Sequence, residues 1–239
     1  MRIRASNALA VVALTLVSAL VVLGQQPARA PTLLFHETFK ENAPGTPEQA
    51  PLAPDHVMNP NLELTLYGPG ATAAPDHESG LLRANAVDPV TGNSFSYVWS
   101  GVTEGSWAVT LKDRDNYLDL TGMAKVRWRV RMRGFNVIRP VIVLGDGTML
   151  AADYEETESS YFRENEVYLV DIPRWRVLDP TQIVGARDAR WRTNVDLSRV
   201  DEIGFTDLSR GAGHGQGGNS GLDWIEVYGH PVSRSASGR

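Results

Sequence analysis

One ten-residue run, Ala124 to Arg133, constrains the fold of this chain more than any other stretch. Val126, Trp128, Val130 and Met132 alternate strictly with Arg127, Arg129, Arg131 and Arg133. In an extended strand successive side chains point to opposite faces, so one face is apolar and the other is a row of guanidinium groups. A helix would scatter both sets around its circumference. The run therefore demands a sheet with one buried side, and a second layer to bury it against.

The same period recurs along the chain, and helical periodicity is scarce. It predicts strands over Thr32–Phe39, Leu62–Tyr67, Leu81–Ala86, Ser94–Ser100, Ser106–Leu111, Ala124–Arg133, Ile138–Leu144, Thr148–Asp153, Glu166–Ile172, Glu202–Thr206 and Leu222–Tyr228. Turn signals separate them at Asp88-Pro89-Val90-Thr91-Gly92-Asn93 and at Gly145-Asp146-Gly147, the latter marking a hairpin. Short strands at this spacing predict an all-β, two-sheet antiparallel sandwich. Residues 43–60 carry Pro44, Pro47, Pro51, Pro54 and Pro60, which remove backbone donors too often for a ladder, so an extended surface loop is expected. A second loop, 210–220 (RGAGHGQGGNS), is glycine-rich but leads into a strand, whereas a dinucleotide fingerprint must open a helix. No organic cofactor is expected. Residues 232–239 are polar and expected to be a disordered tail.

The N-terminus reads as an export signal. Arg2 and Arg4 precede an apolar run from Ala8 to Leu23, and Ala28-Arg29-Ala30 supplies a small-residue cleavage site. An uncleaved anchor is the rival reading, opposed by Pro27 and that site. The expectation is a signal over 1–30, a single sandwich over 31–231, a monomer that is secreted or periplasmic, and no membrane contact after cleavage. The whole chain has a net charge of −5, and removing 1–30 takes away three arginines and no acid. Such a protein is a poor partner for nucleic acid, whose binding rests on phosphate neutralisation by a basic surface. With no cysteine, disulfides, thiolate metal sites and a catalytic thiol are excluded. The oxygen-rich composition makes calcium the expected structural ion if one is bound.

Several side-chain groups carry possible chemistry. The arginine face of Ala124–Arg133 either pairs with acids on neighbouring strands or lines a groove for a polar or anionic ligand, which guanidinium recognises by bidentate hydrogen bonds. Phe95, Tyr97 and Trp99 share one strand face, expected to be the inward face of the sandwich, although such a row also suits sugar stacking. Trp175 and Trp191, each flanked by arginines, are candidate platforms; the alternative is an aromatic capping the barrel end. The five histidines show no metal-ligand spacing. His214, in the glycine-rich loop, is expected to be exposed and is a further candidate contact. The acids Asp153, Glu155, Glu156 and Glu158 read as a solvated cluster.

Two segments add a family signal: YLDLTGMAKVRWRVRMRG (Tyr117 to Gly134), and VDLSRVDEIGFTDL followed by GLDWIEVYG (Val195 to Gly229). An Asp-Leu-Ser/Thr turn before an alternating strand, then Ile-Gly-Phe and a closing Asp-x-Ile-x-Val strand, resembles galactose-binding-like jelly rolls of the CIA30-like and carbohydrate-binding-module type. The resemblance implies non-catalytic binding of a glycan, with Arg127, Arg129 and Arg131 as the groove and Trp175 or Trp191 at its edge. It also implies a calcium held by an acid of the first strand and the Asp opening the last, which match Glu37 and Asp223. Jelly-roll hydrolases instead carry paired carboxylates on one strand as E-x-D-x-x-E, which is absent here. A polysaccharide lyase or glycoside hydrolase remains the alternative, with Tyr154 or His214 moving the proton beside an arginine; an envelope-associated interaction protein is a third reading.

Overall fold

The computed structural model describes residues 29–41, 49–71, 80–101, 105–134, 136–156, 158–185, 191–208 and 219–234, and the sandwich belongs to a compact unit that begins at Pro31. Residues 1–28 of the predicted signal, 43–48 of the proline-rich loop, 209–218 with His214, and 235–239 lie outside the described residues.

Among the described residues the chain forms sixteen strands. The first eight are β1 (Thr32–Glu37), β2 (Gln49–Pro51), β3 (Leu62–Tyr67), β4 (Leu82–Val87), β5 (Ser94–Trp99), β6 (Trp107–Asp113), β7 (Asn116–Asp119) and β8 (Lys125–Arg133). The rest are β9 (Ile138–Leu144), β10 (Met149–Ala152), β11 (Ser159–Tyr168), β12 (Trp175–Asp179), β13 (Val184–Gly185), β14 (Trp191–Arg192), β15 (Val200–Asp207) and β16 (Asn219–Ser233).

They build two antiparallel layers. In the first, β11 pairs with β8 and β8 with β16; the far edge of β16 takes β5 near its start and β1 further along, and β5 continues to β4 and β2. In the second the order is β3, β6, β15, β9, β10, β12 and β14. The long β16 stitches the layers together, because its last residues, His230 to Ser233, pair with β7, which also meets β15.

The alternation in β8 drives this packing. Val126, Trp128, Val130 and Met132 are fully buried, and Trp128 stacks edge-on at 5.4 Å against Phe205 of the opposite sheet. Burying each such side chain stabilises the fold by about 2–3 kcal/mol before entropy is counted. Val98 and Leu222, beside Val130 in the same sheet, belong to the same core. Glycine permits several close approaches, of which two bear on the second sheet and on the outer face of the first. A Cβ on Gly204 of β15 would sit 2.0 Å from the Val109 carbonyl oxygen, and one on Gly221 of β16 would meet the Phe162 and Tyr97 rings at 3.1 Å.

The structure corrects three expectations. Residues 43–60 are not all loop: Gln49–Pro51 pairs with β4, and Pro54–His56 is a 3₁₀ turn. Pro51 ends an edge strand, where a missing donor disturbs the ladder least. The expected tail at 232–239 starts too early, since Val232 and Ser233 pair with Tyr117 and Asn116, and the Arg234 guanidinium stacks 4.2 Å from the Tyr117 ring. Finally, β11 begins at Ser159 rather than Glu166, with a bulge between Ser159 and Arg163.

Candidate functional site

The four arginines of β8 lie on the outer face of the first sheet, and their neighbours divide them. Arg127 Nη1 donates to Glu226 at 2.7 Å, with Glu164 and Glu166 at 3.5 and 3.6 Å. Arg129 bridges two acids, Asp88 at 2.7 Å and Asp223 at 2.5 Å. Arg131 and Arg133 have no ion-paired carboxylate among the described residues. Arg131 Nη2 donates to the Tyr97 hydroxyl at 3.1 Å, while its buried Nε has no acceptor among the described residues. Burial holds the Arg131 pKa below the usual guanidinium value.

Aromatic rings pack onto this face, which overturns the expectation that Phe95, Tyr97 and Trp99 point inward. Val98 is the core residue of β5, so its neighbours Tyr97 and Trp99 face outward, as does Phe95. Tyr97 is nonetheless buried, because Phe162 of β11 covers it at 5.3 Å; the notch at Gly221 lets the two rings lie over β16. Phe162 sits 5.2 Å from Phe95, and the Arg129 and Arg131 guanidinium carbons lie 5.3 and 5.0 Å from its ring. Each cation over an aromatic face contributes about 0.5–1 kcal/mol and fixes the side chain's direction.

Two loops wall this surface into a groove. In the turn after β4, the Asp88 carboxylate accepts the backbone N–H groups of Thr91 and Val90, which hold its pKa below the ordinary value, while its other oxygen takes Arg129. The turn is thereby tied across to β8, with Pro89 and Val90 at the rim. On the other side the bulge in β11 presents Ser160 and Tyr161. The hollow between them is about 550 Å³, with Arg129, Arg131 and Arg133 along it. Val87, Val90 and Tyr161, at 65%, 91% and 78% exposure, are three of the eight exposed large hydrophobics among the described residues, so apolar exposure concentrates here. Behind Phe95 a second hollow of about 560 Å³ is lined by Thr38, Met58, Asp223 and Trp224.

The other expected site residues lie elsewhere. Trp175 is 3% exposed and belongs to the core, since the inward face of β12 carries it; it cannot be a platform. Trp191 is 40% exposed but stands on the second sheet, in register with Arg176, and does not edge the arginine groove. Tyr154 is hydrogen-bonded to Glu156 at 2.8 Å and packs against Trp128, away from the arginine face. Glu156 is buried rather than solvated, and also holds Arg163 at 2.9 Å. Glu37 and Asp223 do not offer a fit to calcium: the Glu37 oxygens accept the N–H groups of Phe39, Met58 and Asn59 at 2.7, 2.7 and 3.0 Å, and Asp223 carries Arg129. Burial raises the Asp223 pKa despite that arginine. Sequence reasoning missed Phe162, Tyr161 and Asp88. The Asp-Pro turn and the period of two in Ser159–Tyr168 were the available signals.

No family model and no curated protein matches the chain. Among solved structures, it is similar to the family 11 carbohydrate-binding module of a cellulosomal cellulase of Clostridium thermocellum, at 13% identity over 85% of this chain and 96% of that one, with a TM-score of 0.44. The same organism's module in complex with a β-1,3-1,4-mixed-linked tetrasaccharide is 16% identical over 82% and 98%, TM-score 0.42. β-Agarase B from Zobellia galactanivorans is 12% identical over 88% and 97%, TM-score 0.37. These are likenesses of fold alone. The chain itself is an all-β, antiparallel two-sheet sandwich.

Proposed function

We propose that the protein binds an acidic glycan in the groove between the β4–β5 turn, β8 and the bulged start of β11, as an exported, non-catalytic carbohydrate-binding protein. The observation that carries this reading is the division of the arginine row. Arg127 and Arg129 are consumed by acids of the fold, whereas Arg131 and Arg133 lie along an open hollow without an ion-paired carboxylate among the described residues, beside the exposed ring of Tyr161. Guanidinium groups suit ligand carboxylates or sulfates, and an exposed aromatic suits the apolar face of a pyranose. The sequence resemblance to carbohydrate-binding modules points the same way.

The lyase alternative requires an accessible proton carrier at the arginines. Tyr97 touches Arg131 but is buried beneath Phe162, where a substrate proton does not reach it; the exposed Tyr161, which lines the same hollow, is the tyrosine such a reaction would have to use, and no hydrogen bond ties it to an arginine among the described residues. Binding is the better-supported reading.

Affinity electrophoresis tests it, with a uronic-acid polysaccharide and its methyl-esterified, neutral counterpart embedded in the gel. Retardation by the acid form, weakened by salt and absent with the ester, is expected. Equal retardation by both, or by neither, overturns the acidic-glycan reading.

A further inference from the structure

The second sheet carries a site of different character. Trp191 is a large indole left 40% exposed on the two-residue strand β14. The β14 ladder pairs it with Arg176, and the Arg174 guanidinium carbon stands 4.2 Å from its ring centroid. Arg174 is itself fixed by Asp153, whose carboxylate accepts its Nε at 2.7 Å. Beside the indole lies a hollow of about 370 Å³ with a floor of Ala151 and Ala152 and walls of Arg139, Arg176, Asp153 and Glu155. That volume falls within the roughly 300–1,000 Å³ of ordinary ligand pockets.

We propose that this hollow is a second saccharide site, for a neutral sugar stacked on Trp191. Sugar hydroxyls both donate and accept, and the walls offer guanidinium donors and carboxylate acceptors side by side. Arg139 pairs with Glu155 and Arg174 with Asp153, so most local charge is already compensated, unlike the Arg131–Arg133 end of the first groove. A neutral ligand therefore matches the wall, and its binding is insensitive to salt. The site stands on the outer face of one sheet and the arginine groove on the outer face of the other, about one sandwich thickness apart. One short oligosaccharide cannot occupy both, so the two sites act on separate chains or on distant segments of one. This inference does not rest on the acidic-glycan reading.

Iodide quenching of tryptophan fluorescence tests it, using neutral gluco-, xylo-, manno- and galacto-configured tetrasaccharides on the protein and on its Trp191→Ala and Arg131→Ala variants, each first checked by thermal melting. At least one tetrasaccharide is expected to cut the quenching constant about twofold in the wild type and in Arg131→Ala, equally at low and high salt, with no effect in Trp191→Ala. Unchanged quenching with the whole panel overturns the proposal. So does protection that survives in Trp191→Ala or disappears in Arg131→Ala.

Discussion

Arg129 and Arg131 stand two residues apart on one strand, and their surroundings give them opposite tasks. Arg129 neutralises Asp88 and Asp223, and Asp223 is buried. Removing one partner of a buried pair leaves an uncompensated charge, so Arg129→Ala is expected to lower unfolding stability by about 2 kcal/mol, read by chemical denaturation. Arg131→Ala breaks no ion pair of the fold but loses its hydrogen bond to Tyr97 and its contacts with the Tyr97 and Phe162 rings, so its expected signature is a loss of acidic-glycan affinity of about tenfold with a stability loss of about 1 kcal/mol, smaller than that of Arg129→Ala. Glu37 is a third residue with a defined task. Its carboxylate satisfies three backbone N–H groups, and Glu37→Ala is expected to cost about 3 kcal/mol, also read by denaturation. A fourth residue-scale effect is acid sensitivity. Asp88, Asp146, Asp179 and Asp196 each accept hydrogen bonds from residues two or three ahead, chiefly Thr91, Thr148, Thr181 and Ser198, and all are held below the ordinary value of 3.8. Acids depressed in the folded state contribute stability that is complete above 3.8 and lost as pH falls through their folded values. Asp223 has the opposite sign: its raised pKa makes acidification favourable from its folded value down to 3.8. With these four and Glu166, which the hydrogen bond from Lys125 holds below 4.5, against Asp223 alone, the melting temperature is expected to start falling below pH 4.5 and to fall steeply below 3.8, and Asp146→Asn to flatten that fall.

At the scale of elements, the groove depends on how β11 and β16 approach each other. Gly221→Val places methyl groups where the Phe162 and Tyr97 rings lie, so it should displace the Phe162 wall and weaken glycan binding roughly tenfold. Gly204→Ala, by contrast, drives a Cβ into the Val109 carbonyl at the centre of the second sheet and is expected to cost about 3 kcal/mol with no selective effect on binding. Legibility in the sequence followed local pattern. The bounds of β8 and β9 were readable to the residue or nearly so, β8 from its strict alternation and β9 as a short apolar run ended by the Gly145-Asp146-Gly147 turn. The outward aim of Phe95 and Tyr97 was not, since an aromatic row has the same period whichever face is buried, and the answer depended on Val98 joining the core. Likewise β2 and β7 are short strands specified by their partners rather than by their own composition. Trp175 and Trp191 look alike in sequence, each beside arginines, yet one faces the core and the other solvent; only the pairing of β12 with β14 separates them.

For the whole molecule, the sandwich sets two unlike surfaces back to back on a core that spans both sheets. An acidic chain presents a local arginine face because neighbouring strands supply acids to only part of the row. The most direct test of this account is a glycan array of neutral and acidic polysaccharides, probed with the wild type and Arg131→Ala at low and high salt. The wild type is expected to bind acidic glycans, more weakly at high salt, and Arg131→Ala to lose this binding. Acidic-glycan binding that is unchanged in Arg131→Ala, or its absence from the wild type, would contradict that expectation.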